Sequence, residues 1–206
     1  GFRSNGLAKV QKSDGKWYYI NSKCETVSEG YENANEFDSN GLASVRKADG
    51  KWYYINSKCE TVSEGYEYAK DFASNGFAVV KKADGKYYYI NEDFETVSEG
   101  FKDARDFESN GLARVKKADG KWYYINSNFE TVSEGFNYAC DFASNGLAIV
   151  KKADGKWYYI NSNFEIVSEG YKCANDFASN GLARVQKSDG EWYYINDNFE
   201  TVSEGF

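Results

Sequence analysis

The chain of 206 residues contains no histidine, no proline and no methionine. Without histidine there is no Ser-His-Asp type of triad and no imidazole metal ligand. Cysteine is sparse: four residues, no Cys-x-x-Cys pair, and so no common thiolate zinc pattern. No run approaches about 18 consecutive apolar residues, so no segment reads as membrane-spanning. Positive charge never clusters. The basic blocks are pairs such as Lys81–Lys82 against a net charge of −7, which argues against nucleic-acid binding. Lys-rich and Glu-rich stretches alternate, a pattern that serves solubility. No secretory leader is visible and Gly1 stands where an initiator methionine would, so the chain reads as a processed form or a fragment.

What is present is one unit, six times over. Gly-Leu-Ala begins at Gly6, Gly41, Gly111, Gly146 and Gly181, with Gly-Phe-Ala at Gly76, and every step is 35 residues. A fixed period of this length means an array of small supersecondary units, each unable to bury its apolar faces alone. We read residues 1–206 as a single array with units beginning near those six glycines. Aromatic residues make up 18% of the chain, enough bulk for a core.

The second unit shows the local pattern. Gly41 to Lys47 alternates, with Ala43 and Val45 on one face. Asp49-Gly50 predicts a two-residue hairpin turn. Lys51 to Asn56 is dense in aromatic and β-branched residues and predicts a strand. Both faces of that strand are apolar, so it is expected to lie between neighbours. Glu60 to Ser63 predicts a third short strand, stopped by Glu64-Gly65. Tyr31, Ala34 and Phe37 recur at a spacing that suits either one helical turn or a short irregular inner strand. Ser39-Asn40-Gly41 then turns the chain, and Gly41 is expected to need positive φ or a close backbone approach.

These motifs carry a family resemblance. Phe37-x-Ser39-Asn40-Gly41-Leu42-Ala43-x-Val45, followed by Asp49-Gly50-Lys51-Trp52-Tyr53-Tyr54-Ile55-Asn56, resembles the WG (KWG) β-repeat of bacterial proteins. The likeness spans Phe2 to Phe206. It departs from the pattern where Tyr18, Tyr53, Tyr88, Tyr123, Tyr158 and Tyr193 replace the Gly of the Trp-Gly pair, and in lacking the Pro common between family units. Those departures move it toward choline-binding-type cell-wall repeats, which share Gly-x-Trp-Tyr-Tyr at a shorter period. The resemblance implies an all-β repeat and brings no agreed activity. The expected fold is all-β, with a closed six-bladed propeller-like ring favoured because closure leaves no uncapped end. The alternative is an open β-solenoid, whose complementary ends invite head-to-tail stacking.

Candidate chemistry is weighed slot by slot. Glu29 and its five equivalents, each beside a serine, are six identical acids, unlike the differently tuned pair of a glycosidase. They read as turn or edge hydrogen bonds to the backbone. Asp14, Asp49 and their equivalents lack the further oxygens of a calcium loop and read as hairpin turns. No enzyme activity, catalytic residue, metal site or cofactor is expected. The aromatic pairs Trp17 and Tyr19, Trp52 and Tyr54, Trp122 and Tyr124, Trp157 and Tyr159, and Trp192 and Tyr194 are candidates for stacking a sugar or caging a quaternary ammonium, against the plainer role of inter-repeat core. Sequence drift concentrates at Lys9, Ser44, Val79, Arg114, Ile149 and Arg184, and around Tyr68 and Tyr138. This predicts either a variable contact face, with those tyrosines as anchors, or neutral drift at exposed positions.

The cysteines fall in two sets. Cys24 and Cys59 occupy the slot of Phe94, Phe129, Phe164 and Phe199 and read as small buried substitutes. Cys140 and Cys173 lie in the variable segment. Equivalent slots in neighbouring units are expected to lie too far apart for disulfides, so free thiols are expected and the redox compartment stays open. The functional expectation is a multivalent binding or adhesion module for a glycan, a choline-like group or a protein surface, outside the cell or on its surface. The rival is a structural subunit that assembles into a homo-oligomer or filament.

Overall fold

The computed structural model describes residues 1–3 and 5–206 and divides the chain into two compact units, Gly1–Phe107 and Glu108–Phe206. The first unit holds β1 (Ala8–Gln11), β2 (Trp17–Ile20), β3 (Asn33–Ala34), β4 (Ala43–Arg46), β5 (Trp52–Ile55), β6 (Tyr68–Ala69), β7 (Ala78–Lys81), β8 (Tyr87–Ile90) and β9 (Asp103–Ala104). The second holds β10 (Ala113–Lys116), β11 (Trp122–Ile125), β12 (Tyr138–Ala139), β13 (Ala148–Lys151), β14 (Trp157–Ile160), β15 (Cys173–Ala174), β16 (Ala183–Gln186) and β17 (Trp192–Ile195). Among the described residues there is no helix long and apolar enough to cross a membrane.

The expected all-β repeat is what forms. Antiparallel sheets run in the orders β3-β4-β5, β6-β7-β8, β12-β13-β14 and β15-β16-β17, and β1 pairs with β2 alone. Among the described residues no sheet is closed on itself, as the open alternative expects. In each hairpin the register sets Ala opposite Ile, and Val opposite the middle Tyr, as in Ala43↔Ile55 and Val45↔Tyr53. The Tyr31-to-Phe37 stretch, open between a helical turn and an inner strand, is the inner strand: Ala34 pairs with Val45, and Tyr31 and Phe37 are buried.

Two local expectations are corrected. The Asp-Gly turn is longer than two residues. Lys47 N–H donates to Lys51 O at 3.0 Å and Gly50 N–H to Lys47 O at 3.0 Å, with Gly50 at φ 81 and Asp49 not at positive φ. A two-residue type I′ turn requires positive φ at both central residues, so this is a three-residue loop ending in a glycine bulge. Asp49 stays useful: its carboxylate accepts from Lys51 N–H at 3.0 Å and from Tyr53 Oη at 2.7 Å.

The third strand expected at Glu60 to Ser63 reduces to a bridge between Ile55 and Thr61. Ser63 is the reason. Its Oγ accepts the Tyr54 N–H at 2.8 Å and donates to Glu64 O at 2.9 Å, so a side chain satisfies the donor that a regular ladder would have claimed. The chain then bends back, and Tyr66 and Trp52 exchange backbone hydrogen bonds at 2.8 Å in each direction. Tyr53 packs across Gly65, where an added Cβ would come within 2.7 Å of the phenol oxygen. A tyrosine replacing the family's glycine is therefore matched by a glycine elsewhere in the repeat.

The core lies between successive sheets. Tyr19, Tyr31, Ala34, Phe37, Val45 and Ile55 form one cluster, and Tyr54, Tyr66, Phe72, Val80 and Ile90 form the next. Burying one such aromatic is worth roughly 4–6 kcal/mol before entropy is subtracted. The slot shared by cysteine and phenylalanine adopts a left-handed conformation in all six copies, with φ from 61 to 63. That is costly for a non-glycine residue. What offsets it is visible at Phe94, whose ring lies 5.5 Å from Tyr54 and 6.1 Å from Phe72. Cys59 is half-buried, and Cys24 is exposed, which corrects the expectation that both are buried. The slot packs on the preceding repeat, as Phe94 does on Tyr54. All four cysteines are free thiols.

Candidate functional site

The hairpin strand sends its aromatic residues to different places. Tyr19, Tyr54, Tyr124 and Tyr159 are no more than 1% exposed. Their hydroxyls donate to carbonyls of the following inner segment, Tyr19 to Asn35 and Tyr124 to Cys140 at 2.5 Å, and Tyr54 to Lys70. Tyr159 does the same to Asn175 at 2.5 Å. Burial pushes all four phenols well above the ordinary tyrosine range. As ligand faces these four tyrosines are corrected: they are core, with both ring and hydroxyl engaged. Tyr194, in the last hairpin, is 40% exposed and stacks on Phe206 at 5.6 Å.

The tryptophans sit one turn of the pleat away. Trp17, Trp52, Trp157 and Trp192 are half-buried, and Trp122 is buried. Most already carry a cation. Lys9 Nζ lies 4.5 Å above Trp17, Lys151 Nζ 5.3 Å above Trp157, and the Arg184 guanidinium 4.5 Å above Trp192. Tyr68 and Tyr138 lie on the short inner strands, 38% and 44% exposed. Tyr68 meets Trp52 edge-on at 6.3 Å, and Tyr138 meets Trp122 at 6.3 Å and Trp157 at 5.7 Å. The structure thus brings Tyr68 and Tyr138 to the tryptophans and leaves the strand tyrosines behind.

The slot running from Lys9 to Arg184 is not a solvent-facing contact surface in the interior copies. Ser44, Val79 and Ile149 are buried, and the Arg114 side chain is only 12% exposed. The slot faces the next repeat. Lys9 Nζ donates to Ala34 O at 2.7 Å. Ser44 Oγ donates to Asp71 Oδ1 at 2.6 Å, and Asn35 Nδ2 reaches the same oxygen at 3.2 Å. Arg114 pairs with both carboxylate oxygens of Asp141 and with Ala139 O. Asp71 and Asp141 were not singled out by sequence. The signal was available, because a residue alternating with Ala43 and Val45 in a strand packed on both faces must also be covered.

In four copies the acidic residue before the linking glycine reaches a lysine of the next repeat. Glu29 pairs with Lys47 at 2.9 Å, Glu64 with Lys82 at 3.3 Å, Glu134 with Lys152 at 3.0 Å and Glu169 with Lys187 at 3.4 Å. These are exposed pairs, each of small energetic weight. Among the described residues no group of three His, Cys, Asp or Glu is arranged to hold a metal.

One cleft gathers several of these side chains. It has a volume of about 490 Å³ and is lined by Asn35, Trp52, Tyr68, Lys70, Asp71 and Asp106 together with Ala69, Phe72 and Ala73. Lys70 Nζ is held by Asp106 at 2.8 Å, so the lining carries one uncompensated carboxylate, that of Asp71. An aromatic wall, an amide and carboxylates around an open space can stack a flat or cationic group and fix it by hydrogen bonds.

Sheets built from one motif, with the variable residues at the joints, define a tandem β-repeat protein. The WG containing repeat matches residues 19–52, 54–87, 89–122, 124–157 and 159–192, and the chain belongs to that family. A putative cell wall binding repeat matches residues 11–23. No curated protein matches the sequence. Among solved structures the chain is similar to KlHsv2 with loop 6CD replaced by a Gly-Ser linker, at 11% identity over 95% of this chain and 74% of that one, with a TM-score of 0.50. BamB from Moraxella catarrhalis is similar at 13% identity over 98% and 73%, with a TM-score of 0.48. The WD40 beta propeller domain of Doa1 is similar at 14% identity over 98% and 76%, with a TM-score of 0.40. At such identities the likeness concerns the fold alone.

Proposed function

We propose that the chain is a non-enzymatic binding module that holds an extended ligand, a glycan in the first instance, at several equivalent points, and that it works at the cell surface. The observation that carries this is the half-buried tryptophan slot. Trp17, Trp52, Trp157 and Trp192 keep part of a flat apolar ring accessible at multiples of 35 residues, while Tyr19, Tyr54 and Tyr159 on the same side of their strands are spent on the core. A sugar ring stacks on such a surface, and weak stacking repeated along one chain adds up through effective concentration. The match of residues 11–23, which include Trp17, to a putative cell wall binding repeat supports the surface setting.

The test is tryptophan fluorescence during titration with a soluble cell-wall polysaccharide and with its short fragments. The polymer is expected to bind about 10²–10⁴-fold more tightly than the fragment. Equal affinity per site, or no spectral response to either, overturns the reading.

A further inference from the structure

Near-identical copies allow one part of the chain to be compared with another. In the second unit the Arg114 guanidinium bridges Asp141, donates to Ala139 O and lies 5.8 Å from the centre of the Trp122 ring. Two repeats earlier the same surroundings recur as Asp71, Ala69 and Trp52, but the residue in the place of Arg114 is Ser44. The serine reaches Asp71 Oδ1 and ends there. Asp71, Ala69 and Trp52 all line the open cleft of about 490 Å³.

Three further observations agree. Trp17, Trp122, Trp157 and Trp192 each have a lysine or arginine over the ring, and among the described residues Trp52 has none. Asp71 Oδ2 accepts no hydrogen bond among the described residues, whereas Oδ1 accepts two, from Ser44 and Asn35. The cleft also holds Asp106, which neutralises Lys70 and so keeps that ammonium from satisfying Asp71. A carboxylate with an open oxygen beside an indole face suits a planar cation that can donate two parallel N–H groups.

We propose that this cleft binds a guanidinium group, stacked on Trp52 and hydrogen-bonded to Asp71, in the manner that Arg114 serves Asp141 and Trp122 from within the chain. The group comes from an arginine side chain of a partner protein or from a small guanidino compound. The site is single and does not depend on the multivalent glycan reading.

The experiment uses the full chain labelled with ¹⁵N, following the Trp52 indole signal, identified by its loss in Trp52→Tyr. Tyr87 holds the equivalent slot in the third hairpin, so the fold accepts that change. Ethylguanidinium, ethylammonium and the peptide Gly-Arg-Gly are the probes. Ethylguanidinium is expected to shift the signal saturably and at least about tenfold more tightly than ethylammonium. Ser44→Arg, which supplies the group internally, and Asp71→Asn are each expected to abolish the shift. Tighter binding of the peptide than of ethylguanidinium assigns the site to a protein partner, and equal binding assigns it to a small compound. An unmoved Trp52 signal, equal response to both cations, or undiminished binding in Ser44→Arg overturns the proposal.

Discussion

Tyr54 and Tyr194 are the same residue in the same slot of the same motif, yet one is 0% and the other 40% exposed. The hairpin that carries each is alike, with serine Oγ accepting the tyrosine N–H at 2.8 and 2.9 Å. What differs is what lies beyond. Tyr54 packs on Tyr66, Phe72 and Phe94, the last belonging to the following copy, and its hydroxyl donates to Lys70 O. Among the described residues the one ring that meets Tyr194 is Phe206. A repeat of this kind owns its hydrogen bonds but borrows its core, which is the physical content of nearest-neighbour stability in repeat arrays.

Substitution at the two positions should break the pair apart most widely. Tyr54→Ala is expected to cost about 3–5 kcal/mol, and Tyr194→Ala less than about 1, in denaturant unfolding of each variant. Equal losses would mean that burial is supplied within the repeat. The left-handed slot gives the next largest contrast. Phe94→Gly removes a packed ring and is expected to lower stability by about 2 kcal/mol after backbone relief. Cys24→Gly relieves the same backbone at an exposed site with nothing to lose and is expected to raise stability by about 1 kcal/mol. Thermal midpoints moving in the same direction for both would contradict the account.

A finer comparison lies inside one repeat. Among the described residues the buried hydroxyls of Tyr31, Tyr66 and Tyr171 have no hydrogen-bond partner, and Phe101 and Phe136 occupy the same slot. Tyr66→Phe is expected to be neutral or stabilising by up to about 1 kcal/mol, whereas Tyr54→Phe strands the Lys70 carbonyl and costs about 1–2 kcal/mol. Opposite signs in the two unfolding midpoints are the check. A last contrast is set by pH. Burial raises Tyr66 and Tyr171 from 10.0 to about 12, and Cys59 from 9.0 to about 11. Groups raised by folding stabilise the native state fully below their unfolded values. Stability is therefore expected to hold to about pH 9 and to fall progressively toward pH 12. A midpoint unchanged across that window would count against burial as the cause.

The period, the hairpin and the dense aromatic strand could be seen in Gly41 to Asn56 because each rests on local chemistry. The third strand was misplaced because a serine hydroxyl and a backbone ladder leave the same apolar-polar trace in sequence. Only the geometry of Ser63 separates them. The turn at Asp49-Gly50 was located but given the wrong length, since the bulge needs positive φ at Gly50 alone. At the site, Trp52 and Tyr68 were named, but Tyr54 was grouped with Trp52 by strand alternation, which says that two residues share a face and not how deep each sits. Asp71 stayed hidden, and Ser44 was named only as a variable position, because their meaning lies in a contact 27 residues apart in sequence.

The serine that interrupts the third strand leaves a spectroscopic handle. In each copy one amide, at Tyr19, Tyr54, Tyr89, Tyr124, Tyr159 and Tyr194, is held by a side-chain oxygen instead of a carbonyl. Rotation about a single serine χ1 bond frees that hydrogen while the sheet stays paired. Isotope exchange at these six amides would time the loosening of the linkers one repeat after another, while the neighbouring strand amides time the opening of the sheets.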